Sequence, residues 1–446
     1  MSKILICNAR LINEGEIQDA DVLIDGERIE KIASGIAVAD DVEVIDAQGR
    51  YLMPGMIDEQ VHFREPGLTN KGNMATESAA AAAGGITSFM DMPNVNPQTT
   101  KRDALADKYL LARGRCTVNY GFYFGATNRN IEEIKALQVN DGCGIKAFMG
   151  ASTGDMLVDS PEALELLFEY APVLVVTHCE DSPMIWANED KAREKYGEAV
   201  PMSEHPNIRS ADACLKSSSY AIDLASRHDA LLHVLHLTTA IEMDQFSDAH
   251  RSTKRITAEV CVHHLWFDES RYADLGTRIK CNPAIKSAED REALIAALQA
   301  GKLDIIATDH APHTAGEKQN TYFKAPAGLP LVQHALLTLF DLADRGELPL
   351  ELIVDKTSHA VADIYGVVDR GYVREGYYAD LVLVDPEKPY TVDSSNLLYK
   401  CRWSPFEGHT FSSSIAATIV NGTVVYRNGL LTGNIAGQRL EFNRAR

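Results

Sequence analysis

The middle of the chain alternates short apolar runs with longer amphipathic segments. Eight of the runs have the length and the β-branched and aromatic content of buried strands. They are MPGMIDEQV, GITSFMDMP, TVNYGFYFG, GIKAFMG, VLVVTHCE, LLHVLHLTT, ITAEVCV and LDIIATDH. The segments between them include the predicted helices NMATESAAAAAG, RDALADKYLLARG, SPEALELLFEYA, ADACLKSSSYAIDLAS and EDREALIAALQAG. Eight strands alternating with helices over ~250 residues or somewhat more predict a (β/α)8 barrel, the TIM-type fold of the α/β class.

A doubly wound parallel sheet is the alternative arrangement of such alternating elements. That fold would need a glycine-rich phosphate turn after an early strand. The chain contains neither GxGxxG nor GxxxxGKS/T. The barrel is therefore the favoured prediction.

Both ends of the chain differ from the middle, because they consist of short strand-like runs. The N-terminal runs are KILICNARLI, DVLIDGERIEKIA and VEVIDAQGRYL, and the C-terminal runs are YADLVLVDP and AATIVNGTVVYRNG. Asn421-Gly422 is a typical hairpin signal. We expect residues 1–52 and 368–446 to form one small β-sandwich domain from both termini, and residues 53–367 to form the barrel.

The amino-acid composition limits the classes of partner that the protein can bind. The chain has 446 residues, 45% of them hydrophobic, which is enough for a large core. With 43 Lys and Arg against 63 Asp and Glu, its net charge is −20. Nucleic acids and anionic membranes need clustered positive charge, so neither is expected as a partner. An anionic small-molecule substrate would need a locally positive site.

The eight cysteines are scattered and form no CxxC pair. The apolar stretch in MSKILICNARLINEG is too short and too interrupted for a signal peptide. No uncharged run approaches the ~18 residues of a membrane span. These features predict a cytoplasmic protein with reduced thiols.

Polar residues stand where the predicted barrel strands end. In such barrels the chemistry lies at the carboxyl ends of the strands. Neutral imidazole and carboxylate groups there suit a divalent metal such as Zn²⁺. The residues are His62, Arg64, Asp91, Asn94, Lys146, His178, His236, Asp309, His310 and His313.

Lys146 is the unusual member, because an ammonium group beside Zn²⁺ would be repelled. In one interpretation Lys146 points away from the metal or pairs with an acid. In the other, its amine loses its proton on burial and captures CO₂. The resulting carbamate is a bidentate anion that can bridge two metals. The residues alone leave both interpretations open.

An ordered set of motifs resembles the amidohydrolase superfamily, and within it the dihydroorotases of the long bacterial type. The motifs span most of the chain, and as an ordered set they are highly specific. They are VHFREPG (61–67), DMPNVNPQT (91–99), GIKAFMGASTG (144–154), HLTTA (236–240), AEVCVHHL (258–265), KCNPAIKS (280–287), ATDHAPHT (307–314) and WSPFEG (403–408). The resemblance implies a zinc-dependent cyclic amide hydrolase that reversibly cyclises N-carbamoyl-L-aspartate to L-dihydroorotate in pyrimidine biosynthesis.

The resemblance also implies roles for particular residues. His62 would bind one metal, called α, and His178 and His236 would bind the second, called β. Lys146, as the carbamate, would bridge the two metals, and Asp309 would bind α and act as general base. The implied substrate-binding residues are Arg64, Asn94, Asn282, His313, Ala327 and Gly328. Arg64 would grip a substrate carboxylate through two parallel charge-assisted hydrogen bonds, and so supply the local positive charge.

Gln60 departs from the pattern, because the family has His-x-His where this chain has Gln60-Val61-His62. An amide oxygen is a much poorer Zn²⁺ ligand than imidazole. We therefore expect a fully occupied β zinc and an α site that is weak, partly occupied or empty.

Two other functions are consistent with the residues. One is another cyclic amidase, such as a hydantoinase or allantoinase, although Arg64 argues against a hydantoin, which need not carry a carboxylate. The other is a non-catalytic dihydroorotase-like scaffold that supports a carbamoyltransferase, although a scaffold has no physical need for the preserved metal ligands. The resemblance also implies a homodimer. His263 and His264 are expected to have a supporting or structural role, and segment 313–324 is either a mobile lid or a surface loop.

Overall fold

The computed structural model describes residues 3–150 and 156–444. The core is a ring of parallel strands, and each of the eight predicted barrel runs contributes to it. The run TVNYGFYFG contributes two consecutive strands, Asn119–Phe122 and Phe124–Gly125. The other strands are Met56–Val61, Ile86–Asp91, Ile145–Phe148, Val175–His178, Leu232–Val234, Ile256–Cys261 and Ile305–Ala307. The α/β barrel predicted from the sequence is confirmed. Residues 151–154 of the motif GIKAFMGASTG lie outside the described residues.

The ring closes between its first and last strands. Val61 forms a parallel bridge with His310, and the backbone N–H of His62 donates to the His310 carbonyl at 2.7 Å. Asp58 reinforces this seam, because its carboxylate accepts the Thr308 backbone N–H at 3.1 Å and the Thr308 hydroxyl at 2.6 Å. The closure places the first and eighth strand ends side by side, and with them their polar residues.

Helices surround the ring, and several begin where the sequence supplies a capping residue. Ser160, Ser210 and Ser287 each accept a backbone N–H from the first helical turn, which satisfies a donor that has no partner within the helix. The α-helices are Met74–Ala83, Arg102–Ala112, Ile131–Lys135, Pro161–Tyr170, Ser182–Tyr196, His205–Ile208, Ala211–Arg227, Val262–Trp266, Tyr272–Leu275, Ala288–Gln299, Ala315–Lys318, Ala335–Asp344, Leu350–Val354 and Ala360–Tyr365. Short 3₁₀ turns are Met202–Glu204, Ala240–Gln245, Arg251–Thr253, Glu269–Arg271 and Gly276–Ile279, and Asp355–His359 is a π-helical turn.

Strands from both chain ends share one nine-stranded sheet, as the sequence predicts for the small β domain. Asn421 and Gly422 both have positive φ, 48° and 70°, which is the turn geometry that favours this pair in a hairpin. The strands of the sheet are Ile4–Asn13, Glu16–Asp25, Arg28–Ala33, Glu43–Asp46, Tyr51–Pro54, Leu381–Asp385, Ser414–Val420, Thr423–Arg427 and Leu430–Leu431. Tyr390–Thr391 and Thr410–Phe411 pair separately. The domain boundaries given above stay a prediction.

Within residues 3–150 and 156–444, no helix combines the length and the apolar character needed to cross a membrane.

Candidate active site

The residues singled out from the sequence line one cavity of about 130 Å³ at the carboxyl ends of the barrel strands. They reach it from seven different strands or from the loops that follow those strands. The lining includes Gln60, His62, Arg64, Asn94, Lys146, His178, His236, Asn282, Asp309, His313, Ala327 and Gly328. The fold therefore brings together every residue that the resemblance placed in the site.

His62 and Asp309 form one side of the cavity. Nδ1 of His62 donates to Oδ1 of Asn94 at 2.7 Å, which fixes the orientation of the ring. Nε2 of the same ring lies 3.1 Å from Oδ1 of Asp309. Burial alone would raise the pKa of Asp309, but His62 and nearby cationic groups lower it below its ordinary value. Asp309 is thus a carboxylate with an imidazole nitrogen beside it, and these are two groups that bind divalent metal ions.

Gln60 lies on the same side. Its Nε2 donates to Oδ1 of Asp309 at 3.2 Å, and its Oε1 lies 3.8 Å from the Cys261 thiol. The amide therefore presents its donor to Asp309 and turns its oxygen away. In this orientation Gln60 is a hydrogen-bond partner of Asp309 and offers no ligand atom to a metal beside it.

His178 and His236 form the opposite side. Nδ1 of His178 and Nε2 of His236 face each other at 3.0 Å. Nε2 of His178 donates to Oε2 of Glu180 at 3.0 Å, and Glu180 is also paired with Arg209. Although burial opposes ionisation, Arg209 and His178 lower the pKa of Glu180 to about 2. A charged carboxylate that orients an imidazole in this way is the usual support of a metal-binding histidine.

Lys146 lies between these two sides and is buried. Its Nζ is 4.7 Å from the centre of the Phe148 ring, and no hydrogen bond of this amine is found among the described residues. Burial lowers the pKa of the Lys146 amine to about 8. A substantial fraction of the amine is therefore neutral near physiological pH, as capture of CO₂ requires.

Arg64 supplies positive charge at the mouth of the cavity. It is buried, with Nε donating to the Pro312 carbonyl at 3.1 Å and Nη2 lying 3.0 Å from Nε2 of His313. Burial lowers the pKa of Arg64 only to about 10, so it stays charged at neutral pH. Its φ of +68° is a left-handed conformation that few residues other than glycine adopt. The loop thus holds a buried cation in a fixed position.

His313 is held between two cationic side chains. Nζ of Lys71 donates to Nδ1 at 3.0 Å, so Nε2 carries the proton and donates to the Ala327 carbonyl at 2.9 Å. Burial, together with Arg64 and Lys71, lowers the pKa of His313 far below its ordinary value. His313 is therefore a neutral hydrogen-bonding group that fixes the Ala327 segment.

Asn282 and Gly328 complete the wall. Oδ1 of Asn282 is buried and has no hydrogen-bond partner among the described residues, so it is available to a donor on a bound molecule. At Gly328, φ is +135° and an added Cβ would lie 2.4 Å from the Ala311 carbonyl oxygen. Glycine at this position lets the backbone itself form the cavity surface.

Some polar residues from the same strand ends lie outside the cavity. Asp91 pairs with Lys108 at 2.6 Å and accepts the Phe63 backbone N–H. His310 contacts Glu77 at 3.0 Å and accepts the Leu331 backbone N–H. Asp91 and His310 therefore fix neighbouring segments. His263 and His264 are buried but do not line the cavity.

Sequence reasoning missed several residues of the site. Phe148 follows Lys146 by two positions on one strand, so strand alternation could have placed it in the cavity. No pattern in the sequence indicated a role for Lys318. Its buried Nζ donates to the carbonyls of Pro326 and Gly328, each at 2.9 Å, and so holds segment 313–324 against the cavity wall.

The chain is similar in sequence to known proteins over most of its length. Residues 51–425 match the model of the amidohydrolase family. A dihydroorotase from Halobacterium salinarum is 34% identical over 427 residues, which is 94% of this chain and 96% of that protein. A dihydroorotase from Clostridium acetobutylicum is 31% identical over 92% of this chain and 95% of its own length.

Solved structures that resemble the chain include hydantoinases and dihydropyrimidinases. An L-hydantoinase (dihydropyrimidinase) from Arthrobacter aurescens has a TM-score of 0.93 and 26% identity, covering 99% of this chain and 100% of its own. A dihydropyrimidinase from Brevibacillus agri has a TM-score of 0.89 and 28% identity with the same coverage.

Proposed function

Because the chain belongs to the amidohydrolase family, we propose that it is a dihydroorotase. This enzyme reversibly cyclises N-carbamoyl-L-aspartate to L-dihydroorotate in pyrimidine biosynthesis. The dihydroorotases among its sequence relatives support the assignment, since they match over more than nine-tenths of the chain. The observation that carries the proposal is a fixed, charged Arg64 at a cavity that also holds the metal-type residues.

The donor set of the cavity fits divalent metal ions. His178 and His236 would hold the β ion with the carbamate of Lys146, and His62 and Asp309 would contribute to a weaker α site. Nδ1 of His178, which carries its proton on Nε2, converges with Nε2 of His236 at 3.0 Å, as two ligand atoms of one metal ion would. Zinc held there would lower the pKa of water from about 15.7 towards about 7 and polarise the substrate carbonyl.

The protein's own residues would carry the proton and hold the substrate. Asp309 would accept a proton from the attacking water and transfer it to the ring nitrogen as the amide C–N bond breaks, which is general base followed by general acid catalysis. In the biosynthetic direction the same transfers run in reverse. The Asn282 oxygen that lacks a partner would accept an N–H of the ureide, and the Asn94 amide would donate, because its own oxygen is occupied by His62.

Arg64 distinguishes dihydroorotate from uncharged rings. Its position is fixed by the Pro312 carbonyl, and a planar guanidinium can bind a carboxylate through two parallel hydrogen bonds. Dihydroorotate carries such a carboxylate, whereas hydantoin and dihydrouracil do not. A buried cation without an anionic partner in the substrate would be costly. The substrate class that fits best is therefore a small anionic cyclic ureide.

A cyclic ureide hydrolase of the hydantoinase type is the second candidate. The similarity to the Arthrobacter aurescens and Brevibacillus agri structures supports it. In that case Arg64 would interact with a substituent of the ring and contribute less to binding. A non-catalytic scaffold is the third candidate. The feature that favours it is Gln60, which stands where the family has the first histidine of His-x-His.

The test is hydrolysis of L-dihydroorotate, hydantoin and dihydrouracil by protein supplied with Zn²⁺ and bicarbonate. We expect turnover of dihydroorotate well above that of the two uncharged rings. The Asp309→Asn variant should lose about 10²- to 10⁴-fold in rate, since general base catalysis is removed. Faster turnover of hydantoin would support the second candidate. If the wild-type protein is no faster than the Asp309→Asn variant on all three substrates, the non-catalytic scaffold is the remaining candidate.

Assembly and location also belong to the proposal. The family resemblance supports a homodimer, which light scattering after gel filtration would detect as twice the chain mass of 48.9 kDa. A cytoplasmic location fits the pathway and the unpaired cysteines. A monomeric mass in solution would remove the dimer from the proposal.

A further inference from the structure

Three potential metal ligands meet inside the barrel, away from the substrate cavity. Glu59, His233 and Glu259 stand on three different barrel strands, and all three are completely buried. Nε2 of His233 lies 3.5 Å from Oε1 of Glu59 and 4.0 Å from Oε2 of Glu259. One ligand atom from each residue falls within 4.8 Å of the others. None of the three residues lines the substrate cavity.

The hydrogen bonds around His233 show which nitrogen carries its proton. The Thr257 hydroxyl donates to the Leu232 carbonyl at 3.3 Å, so its oxygen is free to accept. Nδ1 of His233 lies 2.8 Å from that oxygen and therefore donates to it. Nε2 is then the unprotonated nitrogen of a neutral imidazole. Its lone pair points towards the two carboxylates.

Several polar atoms of this cluster lack hydrogen-bond partners in the described part of the chain. Among the described residues, neither oxygen of Glu59 has a hydrogen-bond partner, and the same holds for Oε2 of Glu259 and Nε2 of His233. Fully buried polar atoms are almost always paired, because the unpaired state costs the desolvation free energy of the group. Four unpaired acceptor atoms on three residues therefore indicate a missing positive species at their centre.

We propose that Glu59, His233 and Glu259 bind a divalent first-row transition metal ion at a structural site inside the barrel. Two carboxylates and one neutral imidazole suit Zn²⁺ or Mn²⁺. The Nδ1–H bond from His233 to Thr257 is the supporting contact that metal-binding histidines usually make.

The site would also stabilise the active-site wall. The remaining oxygen of Glu259, Oε1, accepts the backbone N–H of His236 at 3.0 Å. His236 has a φ of +40°, a conformation that costs free energy and needs support from its surroundings. A metal that fixes Glu259 would thereby fix the backbone of His236. The inference does not depend on the reaction proposed above.

Metal counting on purified protein tests the proposal without any activity assay. The His178→Ala change removes a cavity ligand and so lowers the metal content that the cavity contributes to the count. In the His178→Ala background we compare Glu59→Gln with the control Glu242→Gln. Glu242 is also buried, but its two oxygens accept hydrogen bonds from the hydroxyls of Ser218 and Thr239. We expect Glu59→Gln to remove about one metal per chain after dialysis with Zn²⁺ or Mn²⁺ alone, and Glu242→Gln to remove none. Equal metal contents in the two variants would overturn the proposal.

A proton is the competing occupant. Burial and the neighbouring Glu259 carboxylate raise the pKa of Glu59, so the two carboxylates could instead share a proton. Anomalous X-ray scattering from wild-type crystals at the zinc or manganese edge separates the two cases and needs no variant. We expect a peak about 2.0–2.2 Å from the three ligand atoms. Peaks confined to the substrate cavity would show that protons occupy the cluster, and the proposal would be wrong.

Discussion

Gln60 donates a hydrogen bond from Nε2 to Oδ1 of Asp309 at 3.2 Å. The same oxygen lies 3.1 Å from Nε2 of His62. The departure from His-x-His therefore replaces a metal ligand with a donor that binds the proposed general base directly. A side chain of this kind can hold the orientation of Asp309, but it competes with any metal for that oxygen.

Replacing Gln60 with histidine should restore the missing ligand. An imidazole can bind a divalent ion where the present amide binds Asp309, so the α site should become tight. We expect Gln60→His to raise the tightly held zinc from about one to about two per chain. The measurement is metal analysis in the Glu59→Gln background, which empties the proposed barrel site.

The parent for this comparison is Glu59→Gln alone. Unchanged zinc content after Gln60→His would indicate that a neighbouring group already substitutes for the first histidine. Two tightly held zinc ions in the Glu59→Gln parent would contradict the weak α site.

Arg64→Lys should separate a carboxylate-binding role from a structural one. Lysine keeps the charge but cannot form two parallel hydrogen bonds to a carboxylate. We expect kcat/KM for dihydroorotate to fall about 10- to 100-fold, the equivalent of about 1.4–2.7 kcal/mol. The rate with dihydrouracil, which lacks the carboxylate, should be unchanged. Equal losses on both substrates would indicate that Arg64 only maintains the loop.

Glu180→Gln should weaken the β metal without touching its ligands. The Glu180 carboxylate accepts the Nε2–H of His178, and its negative charge makes that imidazole a better ligand. We expect metal affinity to fall about 10- to 100-fold, measured by chelator competition. Glu242→Gln is the matched control, since it neutralises a buried carboxylate outside the site. The same affinity in both variants would argue that Glu180 serves only its pair with Arg209.

Asp58 should make the barrel seam sensitive to pH. Burial raises the pKa of Asp58 from 3.8 to about 7. At a pH between these two values, Asp58 is therefore protonated in the folded state and ionised in the unfolded state. Its contribution to the free energy of unfolding is present at low pH and falls by up to about 1.4 kcal/mol per unit as pH rises towards 7. An amide side chain does not titrate, so the melting temperature of Asp58→Asn relative to wild type should rise from pH 5 to 8. A constant difference would show that Asp58 does not titrate in this range.

The sequence alone determined the architecture of this protein. Apolar runs of strand length alternate with capped helices, and such local patterns depend little on distant parts of the chain. The positions of His62, Lys146, His178, His236 and Asp309 at separate strand ends were enough to predict one shared site, because parallel strands in a closed barrel bring those ends together.

Only the tertiary structure decided where individual polar atoms point. Strict alternation along a strand would send Glu59 and Gln60 to opposite faces. The pairing of Met56–Val61 with Ile86–Asp91 is irregular between Asp58 and Val61, and both side chains reach groups on strands across the barrel. Pattern reasoning cannot see such a shift, since it depends on how two strands far apart in sequence fit together. The amide direction of Gln60 and the meeting of Glu59 with His233 and Glu259 follow from that fit.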